Sequence, residues 1–261
     1  MLFLSSITIQ TVPLTSKHKL LSFTQPEHSG MKYSLLTLLS FCMLACNGQT
    51  GLGRTVTEKL EPYQFYFIGQ AHNNKANTLL EKELLLALNK KWGVRYDILE
   101  YPHSAAFLIN EYLQTGEDSL LAVINSGAPF NFIRAVKTHN DTCHSARKIR
   151  FYGLDFENRQ DGKYTRKAIG RILKQTKLPE KETLFSLLSQ VAGAAPKVLN
   201  SKLKTVKNYL DENEEKCRLL LDHYFLDLSL IVNAQFDFSP KRDDAMFANF
   251  IRLHRELTGR G

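Results

Sequence analysis

Apolar and polar residues alternate with two different periods along the first half of this chain. Short runs of aromatic and β-branched residues predict strands at residues 64–69 (QFYFIG), 94–100 (VRYDILE) and 148–154 (KIRFYGL). Between these runs, apolar residues spaced three and four apart predict helices at residues 77–92, 104–114 and 130–138. Because strands that alternate with helices favour βαβ units, we expect an α/β fold with a mainly parallel sheet and flanking helices.

Both ends of the helix predicted at residues 104–114 are marked in the sequence. Ser104 is expected to be its N-cap, because a serine oxygen accepts a hydrogen bond from the free backbone N–H groups of a first turn. Gly116 is expected to stop the helix, because glycine readily adopts the left-handed conformation that follows a last turn.

The second half of the chain is predicted to be almost entirely helical. Helical spacing covers residues 162–177, 181–192, 196–232 and 243–257, and one strand signal lies at residues 234–238. We interpret residues 163–233 as a helical insertion over the sheet, within an α/β domain that spans residues 61–261. Three evident strands are few for such a domain, so we expect it to be incomplete at its C-terminus.

Residues 31–46 (MKYSLLTLLSFCMLAC) predict export from the cell. A lysine precedes a short apolar run and a small residue precedes Cys46, which is the order found in signal peptides of bacterial lipoproteins. We expect residues 31–45 to be a signal peptide, Cys46 to carry a membrane anchor and residues 46–60 to form a tether. Residues 1–30 are expected to be an upstream artefact or a disordered leader. The location is then the bacterial cell envelope, on an extracytoplasmic or periplasm-facing side.

Composition and charge narrow the class of protein. The 261 residues are 43% hydrophobic and 23% charged, which is typical of a globular chain. The formal net charge is +8, but no basic-aromatic motif accompanies it, so no nucleic-acid partner is expected. The lysines between residues 163 and 216 alternate with glutamates and leucines, which indicates a solvated helix face. Cys143 and Cys217 could pair in an oxidising compartment, and without a CxxC motif no zinc site is expected.

Polar side chains follow each of the three predicted strands. His72 stands in the cluster after the first strand, Glu100 at the end of the second and Asp155 at the end of the third. Because the carboxyl ends of parallel strands share one edge of the sheet, we expect these side chains to meet there. Two of them have an ordinary alternative: His72 could be a loop residue, and Glu100 could be a helix-cap or surface carboxylate.

The residue types at this edge suit acid–base chemistry. His72 can act as a general base near neutral pH, and Glu100 can orient its ring or deprotonate water itself. Arg242 can supply a planar cation for an oxyanion or a carboxylate, unless Arg242 and Asp243 simply begin the last helix. No Gly-x-Ser-x-Gly elbow, dinucleotide fingerprint or P-loop occurs in the sequence, which disfavours a serine hydrolase and a nucleotide enzyme.

Taken in order, these motifs resemble those of the erythromycin esterase-like proteins across about residues 63–257. The matching features are Gly-x-x-His at residues 69–72, an early acid in the next helix (Glu81 or Glu83), Glu100, Gly-Leu-Asp-Phe-Glu at residues 153–157 and Arg-Asp-x-x-Met-x-x-Asn at residues 242–249. The resemblance implies hydrolysis of small-molecule esters, such as macrolide lactones, without a metal or cofactor. It implies His72 as the base, with Glu100 and Arg242 as further catalytic residues. The residues expected to contact the substrate are Gln70, Asn73, His103, Asp155 and Asp243.

Two features depart from the family pattern. Gln70 stands where the family usually has glutamate, and an amide can neither take a proton nor stabilise a charged His72. The family also continues to a second histidine segment, which does not occur before Gly261. Three readings stay open: an ester hydrolase or its remnant, a ChaN-type lipoprotein that binds a small ligand such as haem through His72 or His103, and an inactive product. Outside the haem reading, His103 and His139 are expected at the surface.

The lipoprotein signal gives a first testable prediction. Intact-mass analysis of the membrane fraction is expected to show a chain that begins at Cys46 and carries added lipid mass, and Cys46→Ala is expected to abolish that mass. Cys42→Ala is the matched control and is expected to change nothing. A product that retains residues 1–30 would contradict the expectation that these residues are an upstream artefact.

Overall fold

The computed structural model describes residues 9–13, 61–68, 75–124, 129–157, 161–233 and 242–258. These belong to two compact units, residues 1–94 and residues 95–261, and most of the described residues are helical. The predicted signal peptide, Cys46, the tether and the strand predicted at residues 234–238 lie outside the described residues. No helix in the described ranges combines the length and the hydropathy needed to cross a bilayer.

The first unit contains one antiparallel strand pair and one helix among its described residues. Strand β1 (Ile9–Pro13) pairs with β2 (Tyr63–Ile68), and β2 confirms the first predicted strand. Strand β1 lies within residues 1–30, which the sequence pattern did not connect to the fold. Helix α1 (Lys75–Trp92) confirms the first predicted helix, and its buried leucines are Leu84, Leu85 and Leu88.

The second unit begins with a parallel strand pair whose connection is helical. Strand β3 (Tyr96–Pro102) pairs with β4 (Arg150–Asp155), and both were predicted. Between them the chain forms α2 (His103–Thr115), α3 (Asp118–Ile124), α4 (Pro129–Thr142) and a 3-10 turn at Ser145–Arg147. Helices α2 and α4 confirm predictions, whereas the seven residues of α3 are too few to show a periodicity in the sequence.

The second half of the chain is helical, as predicted, but the long helix expected at residues 196–232 is divided into three. Asn213 adopts φ −129° and its Nδ2 donates to the Tyr209 carbonyl at 3.0 Å, which closes one helix. Asp222 adopts φ 49°, a conformation that no α-helix contains. The described helices are α5 (Lys163–Gln175), α6 (Thr183–Ala192), α7 (Pro196–Glu212), α8 (Glu214–Leu221), α9 (Tyr224–Asn233) and α10 (Arg242–Thr258).

Helix α2 forms the centre of the second unit. Every residue from His103 to Leu113 is buried, as expected of a helix with apolar partners on all sides. It packs against β4 and against α3, α4, α5 and α9. The other side of β4 packs on α9 and α10, where Tyr152 contacts a cluster of fully buried leucines at positions 226, 230 and 253.

Of the two predicted ends of α2, the C-terminal one is confirmed and the N-terminal one is wrong. Gly116 adopts φ 74°, and its N–H donates to the Tyr112 carbonyl at 2.8 Å, so the predicted stop is confirmed. The predicted N-cap at Ser104 is wrong, because the chain already turns into the helix at Pro102 and Ser104 lies buried inside the first turn. Proline suits this position, since its fixed φ is already close to helical.

Side chains, rather than a third strand, pair with the outer edge of β4. Asn140 on α4 donates to the Ile149 carbonyl and accepts from the Ile149 N–H, at 2.9 and 2.8 Å. Asn110 on α2 makes the same pair of bonds to Phe151, at 2.7 and 2.8 Å. At the next alternate position, the Gly153 N–H donates to His103 Nδ1 at 3.2 Å.

These contacts explain why the expectation of a mainly parallel sheet is not supported. The described strands form one parallel and one antiparallel pair. A third strand beside β4 would need the backbone groups that the two asparagines and the histidine already satisfy. The fold is therefore α/β with a small sheet and many helices.

The sequence left open whether Cys143 and Cys217 form a disulfide. Cys143 and Cys217 are both free thiols rather than a disulfide. Cys217 is fully buried on α8, and burial raises the pKa of its thiol.

Gly153 provides a stability test of the contact between β4 and the end of β3. A Cβ atom at Gly153 would lie 2.3 Å from the Tyr101 carbonyl oxygen and 2.6 Å from the Pro102 carbonyl carbon. Gly153→Ala is therefore expected to lower the free energy of unfolding by about 3 kcal/mol in urea titrations. In the control Gly170→Ala, the new Cβ meets only Ala192 at 3.8 Å, and stability is expected to rise by about 0.5–1 kcal/mol. Equal effects of the two substitutions would contradict this account.

Candidate functional site

The carboxyl ends of β3 and β4 form the candidate site. The register pairs Leu99 with Gly153 and Pro102 with Asp155, so the two residues between Leu99 and Pro102 lie opposite Leu154 alone. Such a bulge re-aims a side chain at the end of a strand. Glu100 lies in this bulge and is the exposed residue of an otherwise half-buried strand.

Arg242 links the two strand ends. Its Nε and NH2 groups donate to the two oxygens of Asp155, at 3.2 and 2.6 Å. The same NH2 group lies 2.8 Å from Glu100 Oε1. The prediction that Glu100 and Asp155 meet at the strand ends therefore agrees with this geometry, and Arg242 lies between the two acids. His72, the third residue of that prediction, lies outside the described residues.

Hydrogen bonding to Asp155, with a further contribution from Glu100, raises the pKa of the Arg242 guanidinium above its ordinary value. The cluster therefore keeps its cation at any working pH. The side chain of Asp155 is 11% exposed, whereas those of Arg242 and Glu100 are 44% and 52% exposed. A solute can thus reach the glutamate and the arginine, while the aspartate serves as their buried support.

Helix α10 supplies Arg242 from its first residue and contacts the site again about two turns further on. Asn249 Nδ2 donates to the Leu154 carbonyl at 2.7 Å, opposite the bulge of β3. The Oδ1 atom of Asn249 is buried and has no hydrogen-bond partner among the described residues. Asp243 is exposed in the first turn of α10, where the helix dipole favours an acid. Arg242 therefore both begins α10 and supplies the cation that binds a carboxylate. Asp243 has the position expected of an acid at the start of a helix.

Three predicted site residues, Gln70, His72 and Asn73, lie outside the described residues. The other expected substrate contact, His103, is not at the surface, as its exposure is 1%. It begins α2 inside the unit, and its Nε2 lies 3.0 Å from Asp227 Oδ1 on α9. The expectation of a surface histidine is wrong because the residue after Pro102 turns into the core with the buried helix.

His103 is part of a buried ionic network that sequence reasoning missed. Asp227 is 1% exposed and also pairs with Arg150 of β4 through Oδ2, at 2.5 Å. The Arg150 guanidinium and the His103 ring both lie against Tyr152. One signal was available, because Asp227 is the sole charged residue of the apolar helix YFLDLSLIVN, and such an acid is rarely buried unless it is paired.

The geometry of this network gives His103 a structural role. Since its Nδ1 accepts the Gly153 N–H, the ring proton belongs on Nε2, where it is donated to Asp227. Burial alone would raise the pKa of Asp227, but the hydrogen bond from His103 and the charge of Arg150 outweigh it and hold this pKa below its usual value. With both nitrogens engaged, the ring holds three elements together and has no free lone pair for a substrate.

The two acids of the Asp155-Phe156-Glu157 segment have different structural roles. Asp155 holds Arg242, whereas Glu157 accepts the backbone N–H groups of Tyr164 and Thr165 at 2.7 and 2.8 Å. Glu157 therefore caps the first turn of α5, where a carboxylate is favourable.

The described residues contain no group of three or more His, Cys, Asp or Glu side chains placed to hold a metal ion. No family model, curated protein or solved structure matches this chain. The likeness to erythromycin esterase-like proteins therefore depends on the motifs alone.

The buried network gives a prediction about stability and pH. Asp227→Asn is expected to cost about 3–5 kcal/mol of unfolding free energy at pH 7, because it removes the charge that His103 and Arg150 face. Since the folded-state pKa of Asp227 is depressed, its contribution is complete above the unfolded pKa of about 3.9 and is lost as pH falls through the folded pKa. The variant should therefore lose less stability than the wild type between about pH 5 and pH 2.

Urea titrations across this pH range measure both effects. Asp211→Asn is the control, because Asp211 is 54% exposed and its one ion pair within the described ranges is with Lys207 on the same helix. It is expected to leave the stability nearly unchanged. If Asp227→Asn behaved like Asp211→Asn, the network would not be a structural support.

Proposed function

We propose that this chain is an ester hydrolase of the erythromycin esterase-like type that acts on a small-molecule ester. The observation that carries the proposal is the Arg242 guanidinium held between Glu100 and Asp155. These residues come from three separate motifs of the resemblance, and they meet at the carboxyl edge of a parallel strand pair, where α/β proteins bind ligands.

In this proposal His72 is the general base that activates water. Glu100 accepts one hydrogen bond from Arg242 through Oε1, and half of its side chain is exposed. The carboxylate therefore has room to accept a second hydrogen bond, from an imidazole or from water. A carboxylate fixed in this way can hold the ring of a base in one orientation and stabilise its charged form.

Arg242 supports the proposed reaction in two ways. Its bidentate contact with Asp155 fixes the guanidinium plane, and this plane in turn fixes Glu100. Because 44% of the side chain is exposed, the same group can face the oxyanion that develops on an ester carbonyl.

The cellular setting belongs to the same proposal. The signal at residues 31–46 supports a lipid anchor at Cys46 and a place in the bacterial cell envelope. The resemblance also implies a larger parallel sheet than the β3–β4 pair.

Ester hydrolysis by the full chain tests this function. His72→Ala is expected to lower kcat for a nitrophenyl ester by about 1000-fold, since a general base contributes roughly 100- to 10,000-fold. Gln70→Glu is expected to raise kcat, because it restores a charge beside His72. His223→Ala is the control, since His223 is 61% exposed and, within the described part of the chain, contacts its neighbours Asp222 and Tyr224.

The outcomes separate hydrolysis from haem binding. Activity that survives His72→Ala would refute the assignment of the base. If no ester is cleaved and hemin gives a Soret shift that His72→Ala removes, the haem-binding reading replaces the hydrolase. A shift that depends on His103 is not expected, because both of its ring nitrogens are engaged in the core.

A further inference from the structure

Helix α5 carries five basic residues and no acidic one. Its apolar side, which includes Ala168, Ile169 and Ile172, is fully buried. The basic residues lie on the remaining face, at positions 163, 166, 167, 171 and 174. Spacings of three and four residues bring these cations close together, and like charges at this spacing repel each other.

This cationic face lines a groove. The groove has a volume of about 580 Å³ and is bordered by all five basic residues of α5, by Val123 of α3 and by Ala192 of α6. Gly170 lies in the middle of the face, where an added Cβ atom would meet Ala192 at 3.8 Å. The groove is shallow and largely open to solvent.

Few of these charges are balanced within the described residues. Arg171 lies between Glu111 and Glu117, at 3.1 and 2.9 Å. Lys163, Lys167 and Lys174 make no ion pair or hydrogen bond with the described part of the chain. Glu117 is the one acid in the lining, so the groove carries a clear excess of positive charge.

The backbone at the start of α5 does not compete for an anion. Helix N-termini bind phosphate through free N–H groups, but here Glu157 already accepts the N–H groups of Tyr164 and Thr165. Any anion in the groove must therefore be held by side chains.

We infer that the α5 groove binds an elongated, multiply charged phosphate-type anion through Lys163, Lys167 and Lys174. The three ammonium groups lie along one face over twelve residues, or roughly 16 Å of helix, which suits a row of phosphates better than a single one. Such an anion relieves the repulsion along α5, so binding stabilises the fold. The site is distinct from the cluster at Glu100 and does not depend on the proposed hydrolase activity.

Two probes distinguish the sources of the phosphate. The first is tripolyphosphate, with sodium chloride at equal ionic strength as the reference, and its binding is measured by calorimetry and by the shift in Tm. The second is a vesicle of phosphatidylglycerol and phosphatidylcholine, with binding measured by co-sedimentation. Every arm uses the full chain with Cys46→Ser, so that a lipid anchor cannot itself attach the protein to vesicles.

Matched variants test the groove itself. The triple variant Lys163→Gln, Lys167→Gln, Lys174→Gln is expected to weaken binding at least about tenfold. The control triple variant Lys181→Gln, Lys197→Gln, Lys204→Gln removes the same charge from exposed positions outside the groove and is expected to change binding less than about twofold. Gly170→Glu places a carboxylate among the cations, so it is expected to raise Tm without ligand and to abolish the further rise with ligand.

Each outcome decides the inference. Loss of tripolyphosphate binding in the groove variants alone supports a free anion as the source, and loss of vesicle binding in the same variants supports a lipid headgroup. Absence of binding to both probes overturns the inference. So does equal weakening by the two triple variants, or a stable Gly170→Glu variant that binds as the wild type does.

Discussion

Strand β4 lies between a strand on one edge and three polar side chains on the other, and the second unit is organised around that arrangement. Buried backbone groups that lack a partner cost roughly 1–3 kcal/mol each. Asn140 and Asn110 satisfy both backbone groups of residues 149 and 151, and His103 accepts the N–H of residue 153. Because Asn140 comes from α4 and the other two from α2, the same bonds fix both helices against the strand.

The positions of the candidate-site residues depend on these contacts at the edge of β4. His103 is held in place by Asp227, and Asp227 is held by Arg150 of the same strand, so β4, α2 and α9 form a closed set of contacts. The bulge at the end of β3 crosses close over Gly153 and turns Glu100 outwards. Asp155 then lies next to that glutamate at a fixed place, and α10 can bring Arg242 to both. The placement of the exposed Glu100 and Arg242 side chains at the strand ends thus depends on buried contacts a few residues earlier in the strands.

The sequence predicts local features of this unit and misses those that depend on distant partners. Strand and helix periods, the stop at Gly116 and the polar strand ends follow from neighbouring residues. The burial of His103 depends on Asp227, which is 124 residues away in the chain. Asn110 and Asn140 occupy helix positions that could equally face solvent, so their bonds to β4 leave no mark in the periodicity. The division of residues 196–232 at Asn213 and Asp222 is set by single backbone conformations, which helical spacing does not reveal.

The end of β4 connects the two surfaces for which roles are proposed, and it also keeps them apart. Asp155 and Glu157 are two residues apart, but the first holds Arg242 and the second caps α5. A carboxylate at that cap favours the first turn of α5 although Lys163, which begins the helix, opposes its dipole. The cationic face of α5 is therefore maintained by Glu157 and by the buried side of the helix, while Glu111 and Glu117 pair with Arg171 alone among its five cations within the described residues. Since no groove lysine contacts Arg242, Glu100 or Asp155 within the described residues, the charge of one surface can be altered without disturbing the other.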